Sequence, residues 1–166
     1  MLDIPELSRK EQFNQKDWQN KKRIVERVFK TKTQKEWCDL MEGSDVCIIA
    51  CGVMVNEAIS AAKTLSSEGI SASVVDMHTL KPLDTELIDA CINNSGCLVT
   101  AEDHSVIAGL GGAVAEYLST TASAPLEMVG VADKFGQSGS SSELMQAMGL
   151  TSNDIVAAAH RSISRK

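Results

Sequence analysis

The sequence predicts an α/β fold, a three-layer αβα sandwich built on a mostly parallel sheet of about five strands and preceded by a helical extension. Three observations predict it. From residue 46 onward, short apolar runs alternate with amphipathic segments, which is the pattern of strands joined by helices. The runs are mostly apolar, as in strands that are covered on both faces. The length of 166 residues allows one such domain with an appendage, but not two full domains.

The first part of the chain predicts two or three amphipathic helices. Within residues 8–42, apolar side chains such as Trp18, Ile24 and Trp37 recur at spacings near three to four, with charges between them. Gly43 then supplies a helix stop. We therefore expect a helical extension over residues 1–45 and an α/β domain over residues 46–166.

Four apolar runs in the second part are strand candidates, and they cover residues 46–51, 72–77, 97–101 and 126–131. Between the first two lies a helical stripe of Ala58, Ile59, Ala61, Ala62 and Leu65, which Gly69 follows in the position of a left-handed C-cap. Because parallel crossovers are right-handed and helices must cover both faces, these elements are expected to form the sandwich.

The remaining helices are predicted from their first residues. Asp84 is placed to cap a helix that carries Leu87, Ile88 and Cys91. The spacing of a capping box occurs twice, in Ser140 with Glu143 and in Thr151 with Asp154. The serine run GQSGSSSELM is therefore interpreted as a helix start, since it also lacks the G-x-S-x-G nucleophile motif.

Charge and composition exclude some classes of function. Residues 1–45 hold 10 Lys/Arg and 9 Asp/Glu, whereas residues 46–166 hold 6 and 13, so their net charges are +1 and −7. An acidic domain without clustered Lys/Arg argues against a nucleic-acid partner. No apolar run approaches the roughly 20 residues that cross a bilayer, and the first residues lack the pattern of a secretory signal. We expect a cytoplasmic protein without a membrane partner.

The five cysteines predict reduced, buried thiols. Their number is odd, none has C-x-x-C spacing, and most lie in apolar runs, which does not fit a disulfide framework. The three histidines are not paired in a way that fits zinc. We therefore expect no metal site in this chain.

The segment AEDHSVIAGLGGAVAEYL carries the most suggestive residues. Glycines before a helix let backbone N–H groups approach an anion, so a phosphate or carboxylate could dock at Gly109, Gly111 and Gly112. The alternative is a tight turn with close helix–sheet packing, which the incomplete dinucleotide fingerprint favours. The acidic pair before the glycines would also repel an anion. These polar residues directly follow a strand and are the candidates for an interface: Glu102, Asp103 and His104.

The histidines have a catalytic and a structural interpretation. His104 beside two carboxylates is a candidate proton shuttle, because neighbouring negative charge favours the imidazolium form. A loop or interface hydrogen bond is the alternative, and the same alternative applies to His78 in VVDMHTLKPLD. No catalytic triad can be assembled, so no catalytic residue is assigned.

Four blocks resemble the C-terminal domain of transketolases, over about residues 45–165. They are the opening DVCIIACGVMVNEAISAAKTL, then DMHTLKPLD, then AEDH with its glycines, and finally DKFGQSG, and they occur in family order. The chain is most similar to the separately encoded C-terminal subunit of split transketolases. 1-Deoxyxylulose-5-phosphate synthases and the beta subunits of 2-oxo acid dehydrogenases are more distant relatives.

The resemblance implies a non-catalytic domain of a thiamine-diphosphate enzyme that moves two-carbon ketol units between sugar phosphates. In that family, thiamine diphosphate and Mg²⁺ are held by other domains, and the C-terminal domain acts in assembly at the dimer interface. The resemblance thus implies no cofactor on this chain, an N-terminal transketolase subunit as partner, and a homodimer. A free-standing anion- or nucleotide-binding module and an orphan fragment without activity are the alternatives.

The first 45 residues depart from this family. The stretch IVERVFKTKTQKEWCDLMEGSDVC is similar to a short segment of family III CoA-transferases and α-methylacyl-CoA racemases. The catalytic aspartate and the CoA-binding regions of those enzymes have no counterpart here. A natural fusion, a chimeric reading frame and chance similarity would each produce this pattern.

Overall fold

The computed structural model describes residues 43–166. The helices predicted within residues 8–42, and with them nearly all of the extension over residues 1–45, lie outside the described residues. That part of the prediction, including its similarity to CoA-transferases, stays a prediction.

Four parallel strands form the sheet of the described region, where about five were expected. They are β1 Val46–Ala50, β2 Ala72–Asp76, β3 Leu98–Ser105 and β4 Leu126–Val131. The order across the sheet is β2-β1-β3-β4, so β1 and β3 lie inside and β2 and β4 at the edges. All four predicted runs are strands, and all three pairings are parallel, which confirms the predicted class of fold.

Five helices accompany the sheet in this region. They are α1 Met54–Ser67, α2 Thr85–Ser95, α3 Leu110–Thr121, α4 Ser141–Met148 and α5 Ser152–Ser164. The helix starts agree with the predicted caps. Asp84 accepts the N–H of Leu87 at 3.0 Å, and both predicted capping boxes are formed. Gly69 has φ +82°, as expected of a left-handed residue after a helix.

The side chains of β1 show why the sandwich has three layers. All five residues of β1 are buried, and successive side chains point to opposite faces of the sheet. Ile48 packs in a core with α1 and α5, whereas Ile49 packs in a second core with α2 and α3. Burial of each such side chain contributes about 1.5–3 kcal/mol.

Helix α1 covers its core with two large side chains and, between them, two alanines. Its buried positions are Met54, Ala58, Ala61 and Leu65, which fall on one face of the helix. The predicted stripe also contained Ile59, but that side chain is 41% exposed and belongs to the outer face. Within residues 43–166, no helix has the length and apolar character needed to span a bilayer.

Candidate functional site

The candidate site is the junction between β3 and α3. β3 extends to Ser105, so Glu102 belongs to the strand and does not follow it as predicted. The register of the pairing with β4 shifts between Ala101 and Ser105, and such an irregularity changes the direction of the side chains in this part of the strand. The strand then turns within a few residues into α3, which begins at Leu110.

The carboxylate of Glu102 occupies the start of helix α3. Glu102 is 2% exposed. Its Oε2 accepts the backbone N–H of Leu110 at 2.7 Å, and its Oε1 accepts that of Gly111 at 2.8 Å. These N–H groups have no partner inside the helix, and they carry the positive end of the helix dipole. The buried charge is therefore satisfied by two charge-assisted hydrogen bonds from a helix that lies eight residues further along the chain.

Two of the three predicted glycines are needed for this close approach. A Cβ at Gly109 would overlap Oε2 of Glu102 and lie 2.7 Å from the carbonyl oxygen of Ser105. A Cβ at Gly111 would lie 2.7 Å from Sδ of Met128. At Gly112 the nearest atom would be 3.6 Å away, which is an ordinary contact. These contacts are those expected of close helix–sheet packing.

Anion binding at Gly109, Gly111 and Gly112 stays a prediction, and the geometry defines what it requires. The N–H groups of Leu110 and Gly111, which an incoming phosphate would use, already donate to Glu102. A free anion must therefore displace a buried carboxylate or bind beside it. Either route places two negative charges together, which raises the free energy of binding.

Asp103 and His104 lie on the surface side of the same strand. Both are exposed, and the His104 side chain is 65% accessible. His104 Nδ1 lies 3.0 Å from the carbonyl oxygen of Ser105 and 3.9 Å from Oε2 of Glu102. The shorter distance is a contact within β3, to the carbonyl oxygen of the next residue. An interface role for Asp103 and His104 stays a prediction, while the buried Glu102 contributes charge and not surface.

Two features of this junction were not predicted from the sequence. Thr100 Oγ1 is buried without a hydrogen-bond partner, and it lies 2.9 Å from the position of a Cβ at Gly111. Ala108 has φ +60°, a left-handed conformation that costs a residue with a Cβ about 1–2 kcal/mol. A buried unpaired hydroxyl and a strained alanine show that the turn is constrained by its packing.

The other predicted polar groups lie away from the junction or serve structural roles. His78 is exposed, and its Nδ1 lies 2.6 Å from Oγ1 of Thr79. In the serine run, Ser140 accepts the N–H of Glu143, which is the predicted helix start. Neither group is part of an assembled catalytic set.

The described cysteines are free thiols. Cys47, Cys91 and Cys97 are buried, and Cys51 is half-buried, whereas Cys38 lies outside the described residues. A hydrogen bond from Cys91 lowers the pKa of Cys47, whereas burial and then the carboxylate of Glu102 raise the pKa of Cys51. No group of three or more His, Cys, Asp or Glu side chains within residues 43–166 is placed to hold a metal ion.

A family model matches most of the chain. Residues 36–155 match the model described as transketolase, C-terminal domain. The match begins inside the segment that resembles CoA-transferases, and it covers all four strands and the β3–α3 junction.

Curated relatives are transketolase-type proteins. A 6-deoxy-6-sulfo-D-fructose transketolase subunit, SqwH, from Clostridium sp. (strain MSTE9) is 47% identical over 127 residues, which are 76% of this chain and 39% of that protein. 1-Deoxy-D-xylulose-5-phosphate synthase 1 from Geobacter sulfurreducens is 36% identical over 129 residues, 76% of this chain and 20% of that protein. The chain thus spans well under half the length of these relatives.

Solved structures agree with the sequence comparisons. A chain described as "Split gene transketolase, inactive beta4 tetramer" superposes with a TM-score of 0.71 at 50% identity, over 74% of this chain and 40% of that one. A transketolase from Pichia stipitis superposes with a TM-score of 0.55 at 21% identity, over 74% of this chain and 17% of that one, and shares the fold. The chain therefore belongs to the transketolase C-terminal domain family.

Proposed function

We propose that this chain is the non-catalytic C-terminal part of a thiamine-diphosphate-dependent transketolase, in which it acts in assembly. The single observation that carries the proposal is its 47% identity with 39% of a transketolase subunit. At this level the chain is a counterpart of one portion of such a subunit, and the rest of the machinery lies outside that portion. Cytoplasmic location and a homodimeric state remain part of the proposal.

The β3–α3 junction supports an assembly role over a catalytic one. Its buried carboxylate accepts two backbone N–H groups at 2.7 and 2.8 Å, so both of its oxygens are engaged within the domain. His104, the candidate shuttle, is exposed and lies against a backbone carbonyl oxygen. The expectation that thiamine diphosphate and Mg²⁺ are held by partner domains belongs to the same proposal.

The solved split-gene transketolase chain at 50% identity supports the need for a partner. That protein is described as an inactive β4 tetramer. We infer by similarity that the present chain self-associates and is inactive without a subunit that binds thiamine diphosphate.

The test is a complementation assay of ketol transfer. The components are a thiamine-diphosphate-binding N-terminal subunit of a split transketolase, the Clostridium relative truncated to the part that this chain does not span, and the purified chain. Transfer is followed from a ketose phosphate, and in parallel from 6-deoxy-6-sulfo-D-fructose, because that sugar is in the relative's name. The untruncated relative is the positive control.

Activity that appears only when the chain is added supports the proposal. Activity of the chain alone contradicts it, because the proposal assigns it no catalytic residue. If the complete relative is active and the chain neither restores the truncated mixture nor binds any component, the assembly role is wrong.

A further inference from the structure

Several exposed apolar side chains follow the carboxyl ends of the strands. Six large apolar residues are exposed within residues 43–166, and four of them each follow a different strand. Their exposed fractions rise from 38% to 97%. We call them the strand-end surface: Leu80 after β2 at 38%, Val53 after β1 at 46%, Ile107 after β3 at 59% and Phe135 after β4 at 97%.

The topology brings these four residues to the same edge. All strand pairs are parallel, so the four carboxyl ends lie together. The strand order places the strand ends before Leu80, Val53, Ile107 and Phe135 in that sequence across roughly 15 Å, because neighbouring strands lie about 4.8 Å apart. Backbone hydrogen bonds tie adjacent strands where the loops begin, from Met77 N–H to Ala50 at 2.8 Å and from Val106 N–H to Val131 at 3.1 Å.

The folded domain gains little from these side chains. Phe135 is 97% exposed and makes almost no packing contact, so its ring does not stabilise the described domain. Contiguous exposed apolar groups mark interaction sites in soluble proteins. Aromatic residues are enriched in protein interfaces and dominate their binding energy. A partner that covers this edge would bury the ring.

The charges around the strand-end surface define the partner. The exposed charged residues in the last three positions of the strands and in the loops after them are four carboxylates and two ammonium groups, net −2: Asp76 in β2, Asp103 in β3, and Lys81, Asp84, Asp133 and Lys134 in the loops. The buried Glu102 adds a further negative charge at this edge. A second copy of the same surface would place like charges opposite each other, whereas a surface with a Lys/Arg rim complements it.

We propose that the strand-end surface docks onto an apolar patch with a basic rim on the thiamine-diphosphate-binding subunit. The inference rests on the proposed function, which supplies that subunit as partner. It adds the surface of this chain that makes the contact, and it assigns Phe135 and Ile107 as the anchors. The carboxylates around the strand-end surface orient the approach of the partner and accelerate association.

The test measures binding of full-length variants to the immobilised thiamine-diphosphate-binding subunit, loaded with thiamine diphosphate and Mg²⁺, alone and together with the truncated Clostridium relative. The double variant Phe135→Ser/Ile107→Ser removes both anchors. Ile59→Ser is the matched control, because Ile59 is also a large apolar residue, 41% exposed, but lies in α1 outside the strand-end loops. Circular dichroism and urea midpoints check that the variants fold alike.

The double variant is expected to raise Kd at least tenfold, with Ile59→Ser within twofold of the natural chain. A second double variant, Asp103→Lys/Asp133→Lys, is expected to slow association at low salt and to flatten its salt dependence. If the natural chain binds and both double variants bind equally well, the docking surface is wrong while the proposed function stands. If the natural chain binds neither preparation, the proposed function fails, and the inference fails with it. If the first double variant instead lowers the mass of the chain's own oligomer and leaves partner binding unchanged, the occupant is a second copy and the inference is wrong.

Discussion

Replacement of Glu102 by glutamine tests whether its carboxylate holds the β3–α3 junction together. The glutamine has the same length, but its amide presents one acceptor oxygen and one NH₂ group. In the natural chain the two carboxylate oxygens accept the N–H groups of Leu110 and Gly111 at 2.7 and 2.8 Å. In the variant, one of these N–H groups would face the NH₂ donor and remain unpaired in a buried position.

The magnitude follows from these two contacts. A hydrogen bond to a charged group contributes about 1.5–3 kcal/mol, and an unpaired buried donor costs about 1–3 kcal/mol. The negative charge at the helix N-terminus contributes up to about 2 kcal/mol more in a buried geometry. Because these contributions overlap, we expect Glu102→Gln to lower the free energy of unfolding by about 2–4 kcal/mol.

Urea denaturation at pH 7 measures this change from the midpoint at constant m-value. The matched control is Asp103→Asn, which removes a neighbouring charge from an exposed side chain and is expected to change stability by less than about 0.5 kcal/mol. A loss below about 0.5 kcal/mol for Glu102→Gln, comparable to such a surface substitution, would refute the reasoning. The helix N-terminus would then not depend on the carboxylate.

Three further predictions concern the same domain. Gly109→Ala is expected to destabilise the domain by about 2–4 kcal/mol in urea denaturation, because the new Cβ overlaps Glu102. Gly112→Ala is the control, and it should stabilise the domain by about 0.5–1 kcal/mol, because this helix position has room for a Cβ. Equal effects of the two substitutions would contradict the packing account. Ala108→Gly relieves the φ of +60° and is expected to raise the free energy of unfolding by about 0.5 kcal/mol after the entropy of the new glycine is subtracted, which a slightly higher thermal midpoint would report. A lower midpoint would show that the turn is unstrained. A hydrogen bond from Arg161 lowers the pKa of Glu127 from its ordinary 4.5. The stabilisation by the Glu127 carboxylate is therefore present above about pH 4.5 and lost as the pH falls through the lowered pKa. Glu127→Gln should cost about 1 kcal/mol of stability at pH 7 and almost nothing at acid pH, and a cost that does not change with pH would contradict this prediction.

Features with a local cause could be predicted from the sequence. The four strands contain the four predicted apolar runs, and β1, which is apolar throughout, is buried at all five positions, as expected of a strand covered on both faces. The capping box of Ser140 needs only Glu143, three residues away, so its hydrogen bonds are implied by the spacing. Each of these features needs neighbours within a few positions, and each is present in the structure.

Features that depend on distant contacts could not be predicted in the same way. An acidic pair after an apolar run indicates a polar loop, yet Glu102 belongs to β3 and is buried. Its burial depends on α3, whose N–H groups arrive only when the helix packs over the strand. The exposure of Ile59 could not be predicted either, because the helical pattern did not show which of the apolar residues in the stripe would face the sheet. The fifth expected strand has no counterpart within residues 43–166, where the segments after β4 form the two helices that their capping boxes predicted.

The state of the β3–α3 junction bears directly on the proposed docking surface. In open parallel sheets, ligands bind at the carboxyl ends of the strands, often at a helix N-terminus. Here the N–H groups of that helix are bound to the protein's own Glu102, so the usual anion position at this edge is filled. The loops around it carry exposed apolar side chains, most of all Phe135, which a phosphate or sugar would not bury. A site whose helix N–H groups are already occupied, and whose loops carry exposed apolar side chains, is suited to a protein partner, and binding of the Phe135→Ser/Ile107→Ser variant to the thiamine-diphosphate-binding subunit tests that use directly.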